Sequence, residues 1–387
     1  MSEIKVNSIK GVGASAAAIT VNNSDGTCTA NITNRSNRNI IINGAMQVAQ
    51  RGTSTTTNGS FCVDRFMCLY SGTDEAPTFA QVDVASGTTP YTNGFRKSLK
   101  ITNGNQTSGA GTSDYIAVDI RLEAQDIANS GWNYTSSSSF ITFSFWVKSS
   151  VAQNFYGYFK TSDGTSQQYP FETGALTADT WTKITKTISG NSNLQFDNDN
   201  NLGLSIRLVA FRGTDKTSSS VTLNAWGAYT NSARMPDNIS TWYTTNDATF
   251  EITGVQLEIG SVATDFEHRL FAQELALCQR YCQKLGASNG TYDCMGTGNA
   301  IGSGFGFIAY RLLSTMRSTP SFTLLGAASD FNYTRDGGDH APTAIVLDQA
   351  GKNMVAVKMT GTSLNNDDAI RLFNMNTTGG YLFTAEL

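Results

Sequence analysis

Short segments in which hydrophobic and polar residues alternate run through most of this chain. In the segment 114–123 the aliphatic side chains occupy every second position, namely Ile116, Val118, Ile120 and Leu122. The segment 140–148 repeats the pattern, with Phe143 and Phe145 among its apolar positions. A period of two over nine or ten residues is typical of a strand with one buried face. Both segments are therefore predicted strands.

The same pattern, separated by turn-forming residues, predicts more strands along the chain. They lie near 61–70, 97–102, 154–160, 181–188, 204–211, 221–226 and 249–259. Many short strands between turns indicate an all-β sandwich or barrel over residues 37–263. Strand-like and glycine-rich segments return in 287–387, which we expect to form a second, smaller β domain.

The period changes between these two regions. Thr264 and Glu267 have the T-x-x-E spacing of a helical capping box. An apolar stripe with spacings of 4, 3, 4 and 3 follows, made of Phe271, Leu275, Cys278, Cys282 and Leu285. This pattern predicts a linking helix over 264–286. The stripe fits a helix packed on its own domain, and it also fits a short helix bundle between subunits.

Residues 1–36 differ from the rest of the chain, because they are small and polar and contain little apolar material. Such a segment cannot bury enough surface to build a core. We expect an N-terminal arm that becomes ordered on something else.

Composition narrows the classes of function. Charged residues are only 15% of the 387 residues, and 27 basic against 31 acidic side chains give a net charge of −4. This balance argues against a nucleic-acid-binding surface or an anionic membrane as partner. The N-terminus lacks the basic and apolar regions of a signal peptide, and no apolar run approaches the roughly 20 residues that span a bilayer. Six cysteines are sparse for a disulfide scaffold, so we expect a soluble protein with reduced thiols, folded in a cytosol.

Catalytic motifs are weak, and we expect no enzyme. The segment 286–290 has the form G-x-S-x-G, but a nucleophile elbow requires a strand before it and a helix after it, whereas the predicted helix comes first. His268 and His340 are the two histidines, which gives poor support for a serine triad. The sequence also offers no evident pair of carboxylates for a glycosidase.

Two sets of residues could hold a metal ion. Cys278 and Cys282, with His268 and Cys294, are four soft ligands of the kind that zinc prefers, although the cysteines fall in the apolar stripe. Asp197, Asp199 and Asn201 place oxygen ligands at alternate positions, as in a calcium loop, without the glycine and glutamate of an EF-hand. We therefore expect no cofactor, with calcium as a weak alternative to a solvated loop.

The polar face of the strands is the most informative group of side chains. If the apolar positions point into the core, alternation puts five polar or aromatic residues together on the outer face: Asp119, Arg121, Trp146, Tyr156 and Tyr158. Arg207 and Trp226 are further candidates. Aromatic rings beside charged groups suit sugars, whose C–H faces stack on rings while their hydroxyls need donors and acceptors. The alternative is that a loop, the helix or another subunit covers these aromatics.

Three stretches resemble tail-fibre and virion-associated proteins of tailed bacteriophages. They are NRNIIINGAMQVAQRGTS with VDRF (37–54 and 63–66), RLEAQDIANSGW with FITFSFWVKSS (121–132 and 140–150), and GVQLEIGSVATDFEHRLFAQELALCQRYCQK (254–284). MRSTP (316–320) and FTAEL (383–387) extend the resemblance, and EIKVNSIKG (3–11) is similar to the N-termini of structural proteins of marine and cyanobacterial phages. The 254–284 block is the most specific part, and Cys282 departs from the CQRYYQK pattern.

The resemblance implies a jelly-roll sandwich like a carbohydrate-binding module over 37–263, the linking helix 264–286 and a C-terminal β tip over 287–387. It also implies a homotrimer in a virion assembled in host cytoplasm, attached to other virion proteins through residues 1–36. The function expected from it is a tail fibre or appendage that binds host surface polysaccharide during adsorption. A purely structural head fibre, collar or adaptor is the alternative, and a polysaccharide-degrading tailspike fits less well.

Overall fold

The computed structural model describes residues 6–10, 12, 19–21, 28–30, 37–287, 292–335, 337–362 and 364–387. Within the N-terminal region, three short strands form an antiparallel sheet in the order β1-β2-β3. Their bounds are Ser8–Ile9 (β1), Ile19–Val21 (β2) and Cys28–Ala30 (β3).

Twelve strands between residues 54 and 259 build the main body. They are β4 Ser54–Thr55, β5 Phe66–Ser71, β6 Thr78–Asp83, β7 Lys97–Thr102, β8 Tyr115–Glu123, β9 Phe140–Ser149, β10 Asn154–Thr161, β11 Gln167–Ala175, β12 Thr182–Ser189, β13 Leu202–Arg212, β14 Gly227–Ala228 and β15 Thr249–Ile259. Three short helices connect them: α1 Thr89–Thr92, α2 Ala124–Ala128 and α3 Thr241–Thr244.

These strands form two six-stranded antiparallel sheets. Sheet I has the order β14-β11-β10-β13-β8-β5, and sheet II has the order β12-β9-β15-β7-β6-β4. The chain crosses repeatedly from one sheet to the other, which is the topology of a jelly-roll β-sandwich. The predicted fold class is confirmed.

Aromatic side chains fill the space between the sheets. The ring centroids of Phe143 and Phe159 are 5.3 Å apart, and those of Phe143 and Phe171 are 5.8 Å apart. Phe155 and Phe250 join the sheets further along at 5.0 Å. These phenylalanines are buried. The period-two pattern identified Phe143, Phe155 and Phe159 correctly, whereas Phe171 lies on a strand that the pattern did not predict.

Most predicted strand bounds agree with the structure to within two residues. The segment 221–226 is an exception, because it is irregular rather than a strand. The strand predicted at 61–70 begins only at Phe66 in the structure, because residues 61–65 are irregular or form a turn. The prediction missed β6 and β11, where alternation is interrupted by polar or small residues on the inner side.

The predicted helix over 264–286 is wrong in its bounds. The helix α4 comprises only Phe271–Cys278, and Cys282–Gly286 is a strand, β16. Thr264 and Glu267 do not cap a helix: the Thr264 hydroxyl donates to Glu258, and the Glu267 carboxylate accepts the backbone N–H of Asn39. Phe271 is 55% exposed. The helix therefore ends before Cys282. The backbone of Cys282–Gly286 forms its hydrogen bonds with the strand Gly380–Thr384 instead.

The third body contains the remaining strands: β17 Cys294–Ala300, β18 Phe305–Arg311, β19 Ser321–Leu325, β20 Phe331–Arg335, β21 Gly338–His340, β22 Ala344–Ala350, β23 Met354–Thr360, β24 Ala369–Asn374 and β25 Gly380–Thr384. A three-stranded sheet, β16-β25-β19, faces a seven-stranded sheet, β21-β20-β24-β17-β18-β23-β22. Phe331, Tyr333, Tyr381 and Phe383 are buried in a separate core.

Charged contacts join the sandwich to this C-terminal body. Glu123, at the end of β8, is fully buried and binds Arg280 through two hydrogen bonds of 2.7 Å. The Glu386 carboxylate lies between Arg51 and Arg65, which both belong to the sandwich. Glu386 thus connects the C-terminal body to the sandwich through two ion pairs.

Replacing Glu386 by glutamine should lower the free energy of unfolding by about 2 kcal/mol. The reason is that Arg65, which is 4% exposed, loses its carboxylate partner and retains the Arg121 carbonyl and the Tyr281 ring. Urea unfolding of Glu386→Gln beside Asp348→Asn, which changes an exposed acid, measures this difference. Equal stability of the two variants would show that the ion pairs of Glu386 do not stabilise the protein.

Candidate functional site

Five of the seven predicted glycan-binding residues lie on the outer face of sheet I, as the alternation predicts. Tyr158 on β10 stands beside Arg207 on β13, and Arg207 stands beside Asp119 on β8. The guanidinium of Arg207 donates to the Tyr158 hydroxyl at 3.0 Å and to Asp119 at 3.2 Å. The three residues therefore form one hydrogen-bonded row across three strands.

Asp119 is the centre of this row and is only 1% exposed. It accepts hydrogen bonds from Ser205, from Arg207 and from Arg121 Nε at 3.0 Å. Burial by itself lowers the pKa of Arg207, but the Asp119 carboxylate outweighs it and the pKa is raised. Asp119 consequently orients arginines on this face and does not itself meet solvent.

Tyr158 and Arg121 are also less available than the sequence predicts. Tyr158 is 1% exposed, because Met235 from a following loop packs with it and with Val209. Arg121 donates from Nη1 to the Leu387 carbonyl, so the C-terminal residues occupy this end of the face. The predicted alternative, that a loop covers part of the aromatic surface, holds for Tyr158, whereas Tyr156 is half-buried.

Trp146 does not belong to this group. It lies on β9 in sheet II, beside Lys183 and Thr253, on the opposite side of the sandwich. It packs half-buried against a cluster that contains Phe95 and Phe266. Alternation within one strand cannot tell which sheet that strand joins, so placing Trp146 beside Asp119 was wrong.

Trp226 lines a cleft of about 360 Å³ at the edge of sheet I. Its indole N–H donates to the Ser189 carbonyl at 2.8 Å, and its ring packs against Tyr169 with centroids 5.4 Å apart. Hydroxyl groups of Ser220, Thr222 and Thr230 belong to residues that line the same cleft. The cleft thus contains an aromatic residue in a fixed orientation and several residues with hydrogen-bonding groups.

The sequence prediction missed Arg212, Arg234 and Tyr229, which lie near Arg207 on the same side of sheet I. Arg212 is 3% exposed and its guanidinium lies 4.8 Å from the centroid of the Tyr115 ring. Burial lowers the pKa of Arg212, and the charges of Arg234 and Arg207 lower it further. Lys160 Nζ lies 4.5 Å from the centre of the Tyr229 ring. Four cations therefore gather around tyrosine rings.

The four candidate zinc ligands do not form a cluster among the residues that the structure describes. Within the described residues, no three side chains of the types His, Cys, Asp and Glu converge on a metal position. Asp199 binds the amide of Asn201, and Asp197 accepts from Gln195 at 3.1 Å, so these oxygens serve the loop itself. Calcium binding by this loop stays a prediction.

Cys278 and Cys282 do not lie on one helix face, because α4 ends at Cys278 and Cys282 belongs to β16. His268 bonds the Asn93 carbonyl at 2.8 Å, and burial raises the pKa of both Cys278 and Cys282. Zinc needs thiolates, which a raised pKa disfavours. The five cysteines whose side chains the structure describes are free thiols: Cys62, Cys68, Cys278, Cys282 and Cys294.

Two further expectations concern catalysis and membranes. Ser288, Asn289 and Gly290 of the G-x-S-x-G segment lie outside the described residues. Over the described ranges, every helix is too short or too polar to cross a bilayer.

The fold and this face together define a jelly-roll β-sandwich with a basic, tyrosine-rich outer surface. No family model matches the sequence, and no curated protein matches it either. Among solved structures, the enzymatically active domain of bacteriophage CBA120 tailspike protein 4 is similar over 57% of this chain, with 9% identity and a TM-score of 0.32. The match spans 21% of that tailspike chain.

Two carbohydrate-binding modules are also similar to this chain. The N-terminal cellulose-binding domain of Cellulomonas fimi β-1,4-glucanase C shares 10% identity with a TM-score of 0.26, over 56% of this chain and 99% of its own. The family 11 module of Clostridium thermocellum, solved with a β-1,3-1,4-mixed-linked tetrasaccharide, shares 11% identity with a TM-score of 0.25, over 56% and 98%. The fold assignment itself rests on the strand pairing described above.

Proposed function

We propose that this chain is a non-catalytic virion component of a tailed phage and that it binds host surface glycans during adsorption. The observation that carries the binding role is the cleft at the edge of sheet I, which Trp226 lines together with residues that carry hydroxyl groups. A sugar ring can stack its C–H face on such an indole while its hydroxyls bond to the polar side chains. The assignment to a phage rests on the sequence resemblance.

The purified chain should bind envelope polysaccharide extracted from its host. Trp226→Ala should weaken that binding about tenfold, because it removes the stacking ring. Tyr292→Ala, which removes an exposed aromatic of the C-terminal body, is the matched control and should bind like the parent. Absence of binding, together with normal adsorption by virions that lack the protein, would refute the adhesin.

A purely structural role is the second candidate, and the C-terminal body favours it. The outer face of the seven-stranded sheet exposes Val346 (49%) and Met354 (55%), and the same face carries Phe305 and Phe307, whose ring centroids are 5.8 Å apart. Exposed apolar surface of this kind is typical of a contact with another protein. The position of this body in an intact virion, seen by electron cryomicroscopy, separates the two roles: burial against neighbours favours the adaptor.

We predict a homotrimer whose residues 1–36 attach to other virion proteins. Linking three weak glycan sites can raise the overall affinity by roughly 10²- to 10⁴-fold. Deleting 1–36 should abolish incorporation into virions and leave the rest of the chain folded, because both main cores lie beyond residue 40. Sedimentation tests the oligomer directly, and a stable monomer at micromolar concentration would contradict the trimer.

A further inference from the structure

Four cationic side chains lie close together on the outer side of sheet I. Lys160, Arg207, Arg212 and Arg234 surround the Tyr229 ring and the Tyr158 hydroxyl, although the chain as a whole has a net charge of −4. Tyr229 lies on the segment that follows β14 and continues to Met235, which covers sheet I. The four cations thus lie between sheet I and the segment that follows β14.

Asp119 contacts this cluster and pairs with Arg207, which is one of its four cations. Asp119 already accepts hydrogen bonds from Ser205, Arg121 and Arg207. Arg234 binds a neutral acceptor, the side-chain oxygen of Asn231. At least two of the guanidinium groups therefore lack an anionic partner among the residues described.

Several guanidinium N–H donors of this cluster are buried without a hydrogen-bond acceptor among the described residues. Nε and Nη2 of Arg212, Nε of Arg207 and Nε of Arg234 have no acceptor among the described residues. Arg212 as a whole is 3% exposed. A buried cationic donor without a partner costs free energy, so its persistence indicates a group that the site is built to receive.

We propose that this cluster binds the anionic group of an acidic saccharide, a carboxylate or a sulfate ester. Planar guanidinium groups match the oxygen pairs of both anions, and charge-assisted hydrogen bonds are stronger than neutral ones. The cleft that contains Trp226 is lined by Thr230 and Ala233, which are chain neighbours of Tyr229 and Arg234. One saccharide chain can therefore stack a sugar on Trp226 and place an acidic group at the arginines. This inference rests on the proposed glycan binding and names its ligand class.

Matched pairs of saccharides test the proposal. Hexagalacturonate differs from its fully methyl-esterified form by its charges, and dextran sulfate differs from dextran in the same way. The full chain should bind at least one acidic member about ten- to a hundredfold more tightly than its neutral partner, and added salt should reduce the difference. The pair that shows the preference distinguishes carboxylate from sulfate.

Variants assign the preference to the cluster. Arg234→Gln and Arg212→Gln should each remove most of it, whereas Arg311→Gln, an exposed arginine of the C-terminal body, should retain it. Thermal unfolding identifies any variant that fails to fold, and two sites are tested so that one folded variant suffices. Trp226→Ala should weaken both members of a pair equally.

Each remaining outcome has a distinct meaning. Equal binding of acidic and neutral saccharides would overturn the anionic site and leave glycan binding intact. A preference unaffected by the arginine variants would place the anion elsewhere and also overturn the proposal. Absence of binding to all four probes and to host polysaccharide would refute the proposed function itself.

Discussion

Replacing Arg280 by methionine should lower the free energy of unfolding at pH 7 by about 3–5 kcal/mol. Glu123, its partner, is fully buried, and the two residues share a pair of 2.7 Å hydrogen bonds. Removing the arginine leaves a buried carboxylate whose donors among the described residues are Tyr281 and Gln125. The unpaired charge, more than the lost contact, causes the destabilisation.

The pH dependence identifies the cause. Burial by itself raises the pKa of Glu123, but the hydrogen bonds from Arg280 and Tyr281 outweigh it and hold the pKa below its ordinary value of 4.5. A lowered native pKa stabilises the parent above pH 4.5, and this contribution is lost as the pH falls through the native pKa. In Arg280→Met the pKa of Glu123 should rise, so the contribution of Glu123 to stability should instead fall as the pH increases.

The difference between parent and variant should therefore be largest near pH 7 and small at pH 3.5. Urea unfolding at both values measures it, with Arg311→Met as the control for replacing an exposed arginine. A difference that does not change with pH would show that packing, not the charge of Glu123, explains the loss.

Replacing Trp146 by alanine should cost about 3–5 kcal/mol of stability, as a truncation of packed aromatic side chains does. The ring packs against the cluster that contains Phe95 and Phe266, and those two rings are 4.9 Å apart. Glycan binding by the folded variant should not change, because Trp146 lies on sheet II and the Trp226 cleft lies at the edge of sheet I.

Thermal unfolding and polysaccharide binding of the same preparation check this prediction. Trp146→Phe should retain most of the contacts, and Tyr292→Ala provides an exposed aromatic for comparison. If Trp146→Ala kept its stability within about 1 kcal/mol and lost adhesion, Trp146 would be a glycan-stacking residue after all.

The glycan candidates show how far strand alternation can be used. It placed Asp119, Tyr158 and Arg207 on one outer face because side chains point to opposite sides of a strand in turn. It could not show that Met235 covers Tyr158, since Met235 is far from Tyr158 along the chain. Trp146 lies on the outer side of β9, as alternation predicts, but β9 belongs to sheet II and not to sheet I.

Arg212 was missed for a local reason. With strict alternation from Arg207, residue 212 would point into the core. The pairing of β13 with β8 shifts register between Val209 and Phe211, so Phe211 turns inward and Arg212 turns outward beside Tyr115. A bulge inserts one residue into the pattern and reverses every later side chain.

The sequence by itself determined the all-β class, the buried phenylalanines of the sandwich and the face to which Asp119 and Arg207 belong. These follow from local periodicity, which the burial of one face imposes on each strand separately. The tertiary structure alone decided which strands share a sheet, where the helix ends and which arginines meet. α4 stops at Cys278 because Cys282–Gly286 pairs with Gly380–Thr384, almost a hundred residues later in the chain, and no local pattern carries that contact.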